Sequence, residues 1–310
     1  MNLWKKTIAF VCISVMMMIF SACGDTTNVQ TQTDQTDNAT PEEIVATVIS
    51  NLEKAESMKS LIVAESDMTT ADTTSVGSTQ AEVTTIYSPL SMEISTISNL
   101  EKTPLITYVQ EKDGIATTYM EYAGQWMEQS VETNIAIDSL QMYDTRENAV
   151  LFLKNAQNWK VVSAEENNMI LEGTLSADAL KTVVEDTKSL QVMGMAGLTE
   201  EYYEGVSDTT ITLTVDTATQ LPIRYTVDLS NTLEVLMNNV TSTFSSSDAQ
   251  NPPQKTTVNQ YTFTVECSDI NEIKKVEIPQ EVLNNAVDLE KQIENISIPT
   301  GENGEELAVE

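Results

Sequence analysis

Residues 210–228 read "TITLTVDTATQLPIRYTVD". Ile211, Leu213 and Val215 point one way, and Thr210, Thr212 and Thr214 point the other. After a turn, Ile223, Tyr225, Val227 and Leu229 alternate with Arg224, Thr226, Asp228 and Ser230. A two-residue period is that of a strand with one apolar and one wet face. The same texture returns at Tyr261, Phe263, Val265 and Cys267, interleaved with Thr262, Thr264 and Glu266. Strands of this kind build an antiparallel sheet covered on one side only.

Working outward, further hairpins are legible. "LITYVQ" (105–110) and "IATTYMEYA" (115–123) flank Glu111-Lys112-Asp113-Gly114, and Asp-Gly is a strong turn signal. Gly124-Gln125 leads on into "WMEQSV" (126–131). "WKVVSA" (159–164) and "MILEGTL" (169–175) form another pair. Three helices punctuate the strands. Thr40-Pro41-Glu42-Glu43 carries a cap, a proline at the first helical position and the glutamate of a capping box. Ile44, Val45, Val48, Ile49, Leu52 and Ala55 then recur at helical spacing as a core-facing stripe. Asp144-Thr145-Arg146-Glu147 resembles a second capping box before Ala149–Ala156, and Ser176 caps a helix to about Lys188, with Leu180, Val183 and Val184 inward. Residues 191–205 and 245–255 read as loops, and the acidic tail from Gly301 as frayed.

The composition narrows the function. The formal charge is −31, and removal of residues 1–22 takes Lys5 and Lys6 and no acid, leaving −33. Lys and Arg are few and scattered, which argues against nucleic acid and against an anionic membrane surface as partner. The chain has no histidine, the commonest general base and metal ligand. Serine and threonine hydroxyls thus lack their usual activating base, and no calcium-loop pattern occurs, so neither an enzyme nor a metal or other cofactor is expected.

The three cysteines stand at 12, 23 and 267. Lys5 and Lys6 precede an apolar run from Thr7 to Phe20, the order of a secretory signal and short for a spanning helix. A general signal peptidase needs a small residue where Phe20 stands, three before a cut after Ala22. "FSAC" (20–23) instead resembles the bacterial lipobox, with Ser21, Ala22 and Cys23 in place and Phe20 departing from the favoured leucine. That resemblance implies cleavage before Cys23 and a diacylglycerol on its sulfur, a two-chain membrane anchor. The alternatives are an uncleaved anchor helix and a plain secreted protein. "GDTTNVQTQTDQTDNAT" (24–40) holds one apolar residue, Val29, and reads as a tether up to residue 39. With Cys23 acylated, Cys267 has no partner in the mature chain and reads as a small buried hydrophobe.

A lipobox, a polar tether, a first helix, then hairpins with interspersed helices resembles the LolA-like and LppX-like lipoproteins, closest to Gram-positive members of unknown function. "YVQEKDGIATTYMEYAGQWME" (108–128) is similar to their strand–turn–strand unit. "DTATQLPIRYTVDLS" (216–230) is similar to their leucine-proline hairpin, and "INEIKKVEIPQEV" (270–282) to their closing strand. The resemblance implies an α+β fold: a curved, incomplete antiparallel β-barrel with helices on its concave side. The expected organisation is a signal peptide (1–22), a lipidated cysteine and tether (23–39), the β-rich domain (40–290) and an acidic tail (291–310).

Family members with known roles carry lipids or lipidated proteins in a cavity between sheet and helices. The resemblance therefore implies a lipid-anchored protein on the outer face of the cell membrane that binds a lipid or other apolar ligand. Ile211, Leu213, Val215, Ile223, Tyr225, Val227, Tyr261, Phe263 and Val265 would line such a cavity, and serve equally well as a filled core. The filled core corresponds to an anchored cell-envelope interaction module without a ligand.

Overall fold

In order along the chain come α1 (Pro41–Glu53), β1 (Ser57–Thr70), β2 (Thr73–Tyr87), β3 (Leu90–Ser98), β4 (Leu105–Lys112), β5 (Ile115–Tyr122) and β6 (Gln125–Glu132). Next are α2 (Thr133–Ser139), α3 (Thr145–Asn155), β7 (Gln157–Ala164), β8 (Asn168–Leu175), α4 (Ala177–Thr187), β9 (Thr209–Asp216) and β10 (Pro222–Asp228). α5 (Ser230–Phe244), β11 (Thr256–Ser268), α6 (Gln280–Asn285) and β12 (Val287–Asp288) complete the fold. The computed structural model describes residues 39–122, 124–195, 197–244, 254–289 and 291. The signal peptide, Cys23, the tether to residue 38, the expected loop from 245 to 253 and the acidic tail after Lys291 lie outside them.

Among the described residues all twelve strands join one sheet, in the order β12-β6-β5-β4-β3-β2-β1-β11-β10-β9-β8-β7. Every pairing is antiparallel except the two-residue β12–β6 pair. The sheet does not close, because β7 and β12 end it without meeting. The α+β half-barrel expected from the sequence is thus the observed architecture. β1 is central and fully used, with β2 on one edge and β11 on the other.

The helices cover one face. α1 packs on α3, α3 on α4, and α5 on β11. The α1 capping box is made in both halves: the Glu43 amide donates to Thr40 Oγ1 at 3.3 Å, and the Thr40 amide to Glu43 Oε2 at 2.8 Å. Ile44, Val45, Val48 and Leu52 are its buried stripe. At α3 only half the box forms. Asp144 accepts from the Glu147 amide, whereas the Asp144 amide donates to the Gln141 carbonyl, because a three-residue turn at Gln141–Tyr143 runs straight into the helix.

Four expectations change. The β4–β5 turn is tighter than read: Glu111 and Lys112 belong to β4, and Asp113 (φ +55°) and Gly114 (φ +81°) alone turn the chain. Both take positive φ, the conformation that a two-residue hairpin needs. Residues 133–139 and 230–244 are helices that the sequence did not announce. The stretch 270–279 is not a closing strand. Its Asn271 amide donates to the Ser57 carbonyl, just past the last β1–β11 pair at Lys59, but positive φ at Asp269 (+50°) and Asn271 (+66°) turns the chain out of the extended form, so the ladder stops there. It continues to α6, which packs on β6, so the sheet's second face is partly covered as well.

Candidate functional site

Because directly opposed residues share a face, the register defines the inner, helix-covered surface row by row. One row runs Leu171–Leu213–Tyr225–Val265–Ile62–Ala81–Thr96–Leu105 across eight strands. A neighbouring row runs Ile211–Val227–Phe263–Ala64–Thr79, and another runs Val83–Ile94–Thr107–Met120–Met127.

The half built from β8 to β11 is filled. Ile211, Leu213, Val215, Tyr225, Val227, Tyr261 and Val265 are buried there, and Phe263 with them. Phe152 of α3 stands between Tyr225 and Phe263, with ring centroids 5.8 and 6.3 Å away. Ile223 departs from the expected alternation. The β9–β10 register slips between Pro222 and Arg224, so Pro222 faces Val215 and Ile223 sits half-buried at the irregularity. A β-bulge inserts one residue and flips what would have faced the core.

In the other half Val83, Met92, Ile94, Val109 and Ala116 are buried as well, but the cover thins toward one end. Ala64 and Ala81 place short side chains at the middle of β1 and β2, beneath Met142 and Tyr143 of the turn before α3. The missing side-chain volume leaves an apolar cleft of about 20 Å³, walled by Ile62, Thr96 and Phe263. From Thr96 the inner row continues to Leu105, which is 45% exposed, and the next row reaches Met120, 42% exposed. A strip that is mainly apolar, interrupted by Thr96 and Thr107, thus runs along the inner face of the sheet from Leu105 and Met120 toward the cleft. Of the nine lining residues named from sequence, Phe263 borders this cleft. Ala64, Ala81, Leu105, Met120, Met142 and Tyr143 were not named as lining: alanine gives little strand signal, Leu105 and Met120 lie in strands read only as a hairpin, and Met142 and Tyr143 lie in a turn that the sequence did not mark.

The interior also holds polar groups. The Tyr225 and Thr85 hydroxyls are buried with no hydrogen-bond partner among the described residues. Burial pushes the Tyr225 phenol well above its ordinary range. Burial, with Glu266 adding to it, pushes the Cys267 thiol up to about 12, so it stays an uncharged thiol. Among the described residues no three His, Cys, Asp or Glu side chains gather where a metal could sit. No described helix is long and apolar enough to cross a membrane.

A family model described as a family of unknown function, DUF6612, matches residues 40–287. No curated protein matches the chain. Among solved structures the chain is similar to the lipoprotein LppX of Mycobacterium tuberculosis, at 10% identity and a TM-score of 0.42, over 76% of this chain and 98% of that one. It is similar to LprF from Mycobacterium bovis at 13% identity and a TM-score of 0.42, over 77% and 96%. A DUF1329 family protein from Desulfovibrio piger matches at 10% identity and a TM-score of 0.23, over 78% and 94%.

Proposed function

The chain belongs to the DUF6612 family of unknown function, and we propose that it is an extracytoplasmic lipoprotein whose domain binds a lipid or other apolar ligand. The observation that carries this reading is the strip from Leu105 and Met120 to the cleft under Met142 and Tyr143. Apolar surface left open on the face that the helices otherwise cover is where an acyl chain would gain most by burial. Methionine is unbranched and adapts to irregular guests. The protein is read as a binder and not an enzyme, since the chain has no histidine to activate its hydroxyls.

Anchoring rests on the lipobox resemblance. Cys23 would carry the diacylglycerol, Phe20, Ser21 and Ala22 would precede the cut, and residues 24–39 would hold the domain off the outer face of a Gram-positive cell membrane. Labelled palmitate should enter the protein and should be lost with Cys23→Ser; label persisting in that variant would refute the anchor.

One observation favours a second reading, an anchored interaction module with a filled interior. The cleft, at about 20 Å³, is far below the roughly 300 Å³ at which ligand pockets begin. Carriage therefore requires the 141–143 turn to lift. Native mass spectrometry of residues 24–310 separates the two. Bound acyl-containing molecules, or uptake of a fluorescent fatty acid, support carriage; a clean mass with no uptake leaves the filled module.

A further inference from the structure

The scattered cations of the sequence are not scattered in the fold. Fourteen Lys and Arg lie among the described residues, and eight of them form ion pairs. Of the six without a carboxylate partner there, three line a single groove of about 610 Å³: Lys54, Arg146 and Lys274. They come from the end of α1, the first turn of α3 and the segment after β11.

Arg146 is held in place before any ligand arrives. Its guanidinium lies 3.7 Å from the Tyr87 ring centroid, and Nη1 donates to the Ala55 carbonyl at 2.9 Å. The remaining donors keep the planar fork that suits phosphate oxygens. Lys54 and Lys274 are exposed, and the Lys274 ammonium donates to the Asn271 carbonyl at 3.1 Å. Two carboxylates share the walls. Glu53 is paired with Lys154 at 2.7 Å, and Glu56 is the second acidic residue of the walls. Asp144 also lies within reach of the Arg146 charge, so three cations stand against Glu56 and Asp144, and the local balance stays positive in a chain whose formal charge is −31.

We propose that this groove binds a phosphate-bearing anion, gripped by Arg146 and flanked by Lys54 and Lys274. The same chemistry serves a phospholipid headgroup and free phosphate. The groove is distinct from the apolar cleft: Ser57 and Ile62, which line one each, are about 17 Å apart along β1. One site can fail without the other.

The full-length protein in a non-ionic detergent, titrated calorimetrically, tests this. The probes are inorganic phosphate and short-chain phosphatidylglycerol, with short-chain phosphatidylcholine as the zwitterionic control. Binding of phosphatidylglycerol alone identifies a headgroup site, and binding of phosphate as well identifies a general phosphate site. In either case affinity should fall with added salt and by about tenfold in Lys54→Gln/Lys274→Gln. Lys54→Arg/Lys274→Arg should retain it. No binding of either anion, equal binding of phosphatidylcholine, or undiminished affinity in the glutamine variant would overturn the proposal.

Discussion

A methyl group at position 173 has nowhere to go. A Cβ built on Gly173 would stand 2.8 Å from Cδ2 and Cε2 of Trp159, whose indole lies over β8 and is itself buried. Gly173→Ala must push the indole or the strand, a small-to-large change expected to cost about 1–3 kcal/mol. Urea unfolding followed by tryptophan fluorescence checks it; an unchanged midpoint would show that the indole moves freely. Asp144 makes a different test. Burial holds its carboxyl above the ordinary carboxylate range, against the pull of the Glu147 amide and Arg146. The folded state therefore binds the proton more readily than the unfolded chain. The resulting penalty is full above the folded pKa and vanishes as pH falls below the unfolded value, near 4. Asp144→Asn keeps a capping side chain. It should raise the melting temperature near pH 7 and leave it unchanged near pH 3; an equal gain at both would assign the effect to something other than ionisation. Trp159 over Gly173 was not readable from sequence, because the approach of the two residues is set by bulges in the β7–β8 register.

Elements whose causes are local were readable. α1 carries its start signal in four residues, and both halves of its capping box form. Thr40→Ala removes the acceptor for the Glu43 amide and should destabilise the domain by about 1 kcal/mol. Chemical denaturation checks this, and Thr40→Ser should behave like the parent. α5 shows the opposite case. Its sequence "SNTLEVLMNNVTSTF" is rich in Thr, Asn and Val, all weak helix formers. The helix exists through tertiary support: Leu233 and Leu236 are buried, and its Asn238 amide donates to the Thr256 carbonyl on β11. The Ile223 irregularity is a middle case. The alternation was plain on paper, yet a one-residue slip beside Pro222 moved Ile223 away from the position it would have taken.

At the scale of the molecule, one sheet is unevenly covered, and the proposed function rests on that. The β8–β11 half is filled by Phe152 and its neighbours, while Leu105 and Met120 stay partly open on the half nearer β6. If the strip admits an apolar guest, Leu105→Asp/Met120→Asp should abolish fatty-acid uptake. The change in stability should be small, since both side chains are already wet. Fluorescent-probe titration beside thermal unfolding reads the two effects apart, and uptake unchanged in the variant would remove the strip from the binding path. By itself, the sequence determined most strand faces, where the hairpins lie, the α1 cap, the acidic balance and the lipobox resemblance. Each depends on neighbours within a few residues, where periodicity and turn chemistry act. Tertiary structure alone decided that β1 lies between β2 and β11, that two alanines meet under Met142, and that Lys54, Arg146 and Lys274 share a groove. Those juxtapositions join residues tens to hundreds of positions apart. They are set by long-range register and packing, which no local pattern encodes.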